Sequence, residues 1–100
     1  MTYNLYITSE REAILQPIEV YTTTYCPYCN QAKRLLTSKN LEFEAIDLTN
    51  DNELRAKLSA DNNGYRTVPM IFIGKKFIGG YQELHQLSTS GELDKLVASE

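Results

Sequence analysis

The order of apolar segments predicts an α/β domain, a four-stranded mixed sheet with helices packed on it in the order β-α-β-α-β-β-α. Three observations carry this. Short β-branched and aromatic runs alternate with stretches whose apolar residues recur at helical spacing. In "VPMIFIGKKFIGG", two apolar runs flank Gly74-Lys75, which reads as a two-residue hairpin turn. A chain of 100 residues, 42% hydrophobic and 23% charged, has the size and composition of one globular domain.

The elements follow in order. After Pro17, "IEVYT" reads as a short buried strand. From Pro27 to about Lys39 a helix is expected, because proline suits the first helical position and Cys29, Ala32, Leu35 and Leu36 recur at helical spacing. Asn40 can close it in a left-handed cap. "LEFEAIDL" reads as a second strand with Leu41, Phe43 and Ala45 on one face. Asn50 and Glu53 have capping-box spacing and open a helix with Leu54 and Leu58 inward, stopped by "NNG" at 62–64. The hairpin comes next, then a helix from about Tyr81 to Leu87 and a short one from about Gly91 to Val97. A crossover helix makes the first two strands parallel, and the hairpin adds antiparallel ones. Residues 17–100 form this domain, and residues 1–16 stand outside it as an N-terminal extension. Ser9 and Glu12 suggest a short leading helix there, and the tyrosine-rich start suggests a strand or a surface segment.

Composition narrows the function. A net charge of −3 disfavours a nucleic-acid or anionic-membrane binder, and no apolar run is long enough to span a bilayer. The first seventeen residues lack the pattern of a secretory signal. Two cysteines are too few for a secreted disulfide framework, so a reducing, cytoplasmic setting is expected.

Both cysteines lie in "TTTYCPYCNQAKRLL". With Cys26 as N-cap and Pro27 first in the helix, Cys29 falls at the third helical position, within reach of a disulfide. Cys26 then faces unpaired N–H groups that favour its thiolate, while Cys29 lies a turn inward. Lowering a thiol pKa from about 8.5 to about 6 raises the thiolate fraction at pH 7 from roughly 3% to roughly 90%. Intrinsic nucleophilicity falls with a slope of about 0.4–0.5, leaving a net gain of only a few-fold. The same thiolate is a better leaving group, which suits turnover. A zinc site would need four ligands, and the chain offers two cysteines and a distant His85. Cu(I) or an interchain iron–sulfur cluster needs fewer and stays open, as does an inert structural pair.

Three motifs in order, "CPYC" at 26–29, "RTVPMIFIG" at 66–74 and "GGYQEL" at 79–84, resemble those of the dithiol glutaredoxins, over about residues 18–97. The resemblance implies a thioredoxin-like fold with Cys26 as nucleophile and Cys29 as resolving thiol. It also implies a glutathione site. Tyr28 would lie beside the ligand, and the Val68 backbone, before a cis Pro69 and in one turn with Thr67, would pair with its cysteinyl part. Gly80, after Gly79, would let backbone approach, with the N–H groups of Tyr81 and Gln82 holding the γ-glutamyl carboxylate and Arg66 the glycine carboxylate. His85 is expected at the surface.

Two positions depart from the family pattern. Thr23 stands where many members carry Lys or Arg, and Gln82 replaces a frequent Asp, so glutathione affinity is expected to be weaker. Lys33 lies two residues out of helical phase to substitute for the missing cation. The implied activity is glutathione-dependent reduction of mixed and protein disulfides, with glutathione as cosubstrate, no bound cofactor and no metal. The implied partners are glutathionylated or disulfide-containing proteins and, indirectly, glutathione reductase and NADPH, with no nucleic acid or membrane and a monomeric chain. The alternatives are a redoxin serviced by thioredoxin reductase, or a carrier of an iron–sulfur cluster or Cu(I). Pro27 disfavours the cluster.

Overall fold

The computed structural model describes residues 15–98. Their strands, β1 (Ile18–Thr22), β2 (Glu44–Asp47), β3 (Met70–Ile73) and β4 (Lys76–Gly79), form one sheet in the order β2-β1-β3-β4. The helices are α1 (Pro27–Ser38), α2 (Asn52–Asp61), α3 (Tyr81–Ser90) and α4 (Glu92–Ala98). As the connections require, β1 runs parallel to β2, and β3 is antiparallel to both β1 and β4. The hairpin turn is Gly74-Lys75, with Gly74 at φ 63°, a conformation that only glycine adopts without a Cβ penalty. The expected mixed sheet with flanking helices is therefore present. The leading helix and the tyrosine-rich start lie outside the described residues.

The two faces of the sheet are filled differently. Ile18, Val20, Ile71 and Ile73 alternate onto one face, where Ala32 and Leu36 of α1, Leu84 of α3, and Leu93 and Val97 of α4 complete the core. Each such large side chain contributes about 1.5–3 kcal/mol by leaving water. The other face carries an aromatic row. Tyr21 meets Phe72 edge-on with centroids 5.6 Å apart, Phe72 lies 5.1 Å from Phe77, and Phe77 receives Tyr65 edge-on at 5.0 Å. Met70 pairs with Tyr21 and shares this face, and it borders a cleft with α2, which flanks that side of the sheet.

The end of α1 follows its sequence signal. Asn40 takes φ 59°, its N–H donates to the Thr37 carbonyl, and that of Leu41 donates to Leu36, which together make a Schellman closure. Elsewhere local signals are displaced. The N-cap of α2 is Asp51 and not Asn50: its Oδ1 accepts from the Leu54 N–H at 3.1 Å. The Asp51 N–H is itself held by the Leu48 carbonyl, which delays the helix by one residue. No residue of α2 is fully buried, and Leu54 and Leu58 are half-buried. Of the expected shared face, Leu41 and Phe43 are half-buried but Ala45 is exposed. The strand begins only at Glu44, past Leu41 and Phe43, and the inward set resumes at Ile46 and the buried Leu48. α3 runs one turn beyond Leu87, to Ser90, and ends on Gly91 at φ 84°.

Candidate active site

At the carboxyl end of β1 the chain turns into α1, and the turn carries both cysteines. Cys26 is the N-cap, extended at φ −150° and ψ 94°, and Pro27 opens the helix. The sulfur of Cys26 accepts the Cys29 N–H at 3.1 Å, satisfying one of the donors that a helix start leaves unpaired. Cys26 and Cys29 are joined as a disulfide, with Cα atoms 5.1 Å apart. Cys29 is wholly buried and Cys26 is 7% exposed, so a substrate in solution meets Cys26 first. Tyr25, beside it, is 94% exposed.

The loop leading to Cys26 is pinned from β2. Asp47 Oδ1 accepts from the Thr49 hydroxyl at 2.6 Å and from its N–H at 2.9 Å. With its proton so committed, the Thr49 hydroxyl can only accept from Thr24, whose N–H and hydroxyl both lie 2.9 Å away. These bonds, the hydroxyl first, hold the Asp47 carboxyl below its usual pKa, and Lys33 adds a smaller pull. Lys33 thus acts toward β2.

On the other side of Cys26 lies the turn before β3. The Val68–Pro69 peptide is cis, and the Val68 carbonyl oxygen stands 3.6 Å from the Cys26 sulfur. From here a cleft of about 270 Å³ runs to the start of α3, lined by Tyr28, Tyr65, Thr67, Val68, Pro69, Gly80, Tyr81, Gln82 and Glu83. The half-exposed Tyr28 stacks toward Tyr81, with centroids 6.3 Å apart, and His85, exposed as expected, continues the row at 5.7 Å from Tyr81. Gly80 is the N-cap of α3 and has no side chain to offer its first N–H groups. Those donors, with the positive end of the helix dipole, are open to an anion.

The structure thus gathers Tyr28, Thr67, Val68, Pro69, Gly80, Tyr81 and Gln82 around one cleft beside the cysteines. Arg66 is placed elsewhere. It lines a second cleft of about 300 Å³ with Asn52, Arg55, Ala56, Ser59 and Met70, where the Arg55 guanidinium donates to the Arg66 carbonyl at 3.2 Å. The carboxylate expected to be lost with Gln82 is supplied one residue later: Glu83 Oε1 accepts the Gly80 N–H at 2.8 Å, and Gln82 caps nothing. Glu83, Tyr65 and Arg55 are among the lining residues not singled out from sequence. Glu83, three residues after a glycine cap, has capping-box spacing that could have marked it. Tyr65 follows the turn at Gly64 with no periodic partner, and Arg55 carries no local signal. Among the described residues, no three His, Cys, Asp or Glu side chains cluster as metal ligands, and no helix is long and apolar enough to cross a membrane.

The sequence model of the glutaredoxin family matches residues 18–78. A glutaredoxin of Pseudomonas aeruginosa is 44% identical over 85 residues, 85% of this chain and all of that one. The solution structure of a Brucella melitensis glutaredoxin superposes with a TM-score of 0.76 at 40% identity, covering 85% of this chain and 91% of that one. The crystal structure of a buckwheat glutaredoxin–glutathione complex gives a TM-score of 0.77 at 28% identity, covering 94% and 88%.

Proposed function

The chain belongs to the glutaredoxin family, and on that premise we propose that it is a glutathione-dependent oxidoreductase acting through Cys26 and Cys29. Thiol–disulfide exchange itself follows from the family and the paired cysteines. The observation that carries the glutathione reading is the cleft: it begins beside the Cys26 sulfur and ends at an open helix N-terminus. A thiol peptide paired with the Val68 backbone as an added strand would bring its sulfur to Cys26 and one carboxylate to α3. Arg55 and Arg66, in the neighbouring cleft, supply cations for a second carboxylate. Glutathione has this layout, and the buckwheat relative was crystallised with it.

In the proposed cycle, the Cys26 thiolate attacks the glutathione sulfur of a mixed disulfide, a protein or small thiolate leaves, and Cys26 becomes glutathionylated. A second glutathione thiolate attacks that glutathione sulfur, Cys26 leaves, and oxidised glutathione is released. The N–H that reaches Cys26 from Cys29 stabilises the thiolate at the start and end of each turn. With a protein disulfide, Cys29 displaces the reduced protein thiolate from Cys26 and forms the internal disulfide, which two glutathione molecules reduce in turn. Glutathione reductase and NADPH close the cycle, in a monomeric, cytoplasmic protein.

Thr23 keeps a rival electron donor, thioredoxin reductase, in play, because the family's usual cation is missing there. NADPH consumption with a glutathione mixed disulfide separates the two. Turnover is expected with glutathione and glutathione reductase and not with thioredoxin reductase alone; the reverse pattern refutes the proposal.

A further inference from the structure

We propose that Tyr65 is a substrate-binding residue selecting γ-glutamyl thiols: its hydroxyl, beside the Glu83 carboxylate, accepts a hydrogen bond from the ligand's α-ammonium. The proposal rests on the glutathione reading above and adds to it a contact and a basis for selectivity.

The Tyr65 ring is held from behind. Its edge-on packing against Phe77, at 5.0 Å and 75° between planes, ties it to the aromatic row on the sheet, where Phe77 is backed by Phe72 at 5.1 Å. A phenol fixed in this way carries its hydroxyl to a set point at low conformational cost. That point lies over Gly80. Measured from the position that a Cβ on residue 80 would take, the Tyr65 hydroxyl oxygen is at 2.7 Å, Glu83 Oε1 at 3.5 Å and the Pro69 carbonyl oxygen at 3.6 Å. Among the described residues, none hydrogen-bonds the Tyr65 hydroxyl. The hydroxyl, on a residue that lines the cleft, is therefore available to a donor on a ligand.

Three converging oxygens, one of them on an anionic carboxylate, repel a carboxylate and suit an ammonium. The adjoining N–H groups of α3 have the opposite preference. The two together match the charges that an α-amino acid bears on one carbon. In glutathione only the γ-glutamyl residue is such a group, because the glycine end has a carboxylate and no amine. The end of the cleft at α3 is therefore the γ-glutamyl end, and Tyr65 is its neutral partner to Glu83.

The test is reduction of the Cys26–Cys29 disulfide by glutathione and by cysteinylglycine, which lacks the γ-glutamyl group, in the wild-type protein and in Tyr65→Phe. Phenylalanine keeps the ring and its Phe77 contact. Each rate is taken relative to that thiol's rate with a small linear disulfide, which removes intrinsic reactivity. The expected result is that wild-type preference for glutathione falls at least about tenfold in Tyr65→Phe, the size of one lost hydrogen bond to a charged group. The loss should fall on apparent affinity and leave both the limiting rate and the cysteinylglycine reaction unchanged. A preference that survives intact in Tyr65→Phe overturns the assignment of Tyr65 and leaves the glutathione reading standing. A wild-type protein with no preference overturns both.

Discussion

Replacing Gly80 by alanine probes the contact between the Tyr65 turn and the start of α3. Gly80 has φ −104° and ψ −158°, a conformation open to any residue, so alanine meets no backbone penalty. Its Cβ would instead stand 2.7 Å from the Tyr65 hydroxyl oxygen, and ordinary contact begins only near 3.4 Å. The hydroxyl must retreat by about 0.7 Å. A free tyrosine would do so cheaply, but this ring is half-buried and packed edge-on against Phe77, so the push reaches the aromatic row. Overpacking of this kind costs about 1–3 kcal/mol, and exchanging a glycine N-cap for alanine adds about 0.5–1 kcal/mol. A total of about 3 kcal/mol lowers the melting temperature of a domain this size by about 12–24 °C. Tyr65→Phe removes the contacting oxygen, so in that background Gly80→Ala should cost only the capping part. Urea unfolding of the four proteins, followed by circular dichroism, measures the coupling, expected to be at least about 1 kcal/mol. An equal cost of Gly80→Ala in both backgrounds would refute the steric argument and the placement of the hydroxyl on which it rests.

The two cysteines should be separable by substitution. Cys26→Ser is expected to abolish all turnover, whereas Cys29→Ser keeps deglutathionylation of small mixed disulfides within a few-fold and loses reduction of protein disulfides; equal loss from both in the coupled NADPH assay would sink the asymmetric mechanism. Asp47, whose folded pKa is lowered by its Thr49 bonds, contributes stability that is complete above about pH 3.8 and lost as pH falls through the folded value. Asp47→Asn should therefore unfold more easily than wild type near pH 6, with the gap closing by pH 2 in acid titrations followed by circular dichroism. Asn40, at φ 59°, should lose about 1 kcal/mol on change to alanine and nothing on change to glycine, read from unfolding midpoints.

Much of this fold is legible in the sequence because its signals are local. Pro27 and Asn40 bracket α1, Gly74-Lys75 makes the hairpin, and each needs only its neighbours to act. The displaced elements depend on contacts from further away. Asn50 is a competent cap, but the Leu48 carbonyl holds the next residue and gives the role to Asp51. Leu41, Phe43 and Ala45 alternate as a strand would, yet pairing with β1 begins only at Glu44, and the alternation slips there. Periodicity fixes which side chains share a face only once the register is known.

The site divides along the same line. Residues from "CPYC", "TVP" and "GGYQ" meet in one cleft because each motif sits at the mouth of an element the sequence already marks. Tyr65 and Arg66 are neighbours in sequence but line different clefts, Tyr65 with the α3 end and Arg66 with α2. The two side chains line different clefts, so the basic residue beside the turn serves only one side of it. The consequence reaches the ligand. A molecule that uses both clefts must cross the Val68 turn extended, with its thiol in the middle at Cys26 and a charged group at each end. It must be zwitterionic where Glu83 and the α3 donors meet, and simply anionic where Arg55 and Arg66 lie. A γ-glutamyl tripeptide thiol satisfies both ends, whereas a plain dithiol or a thiol without its γ-glutamyl group leaves the α3 end unfilled. Specificity for glutathione would then reside in two separated charge patterns, which Thr23 leaves intact because it belongs to neither.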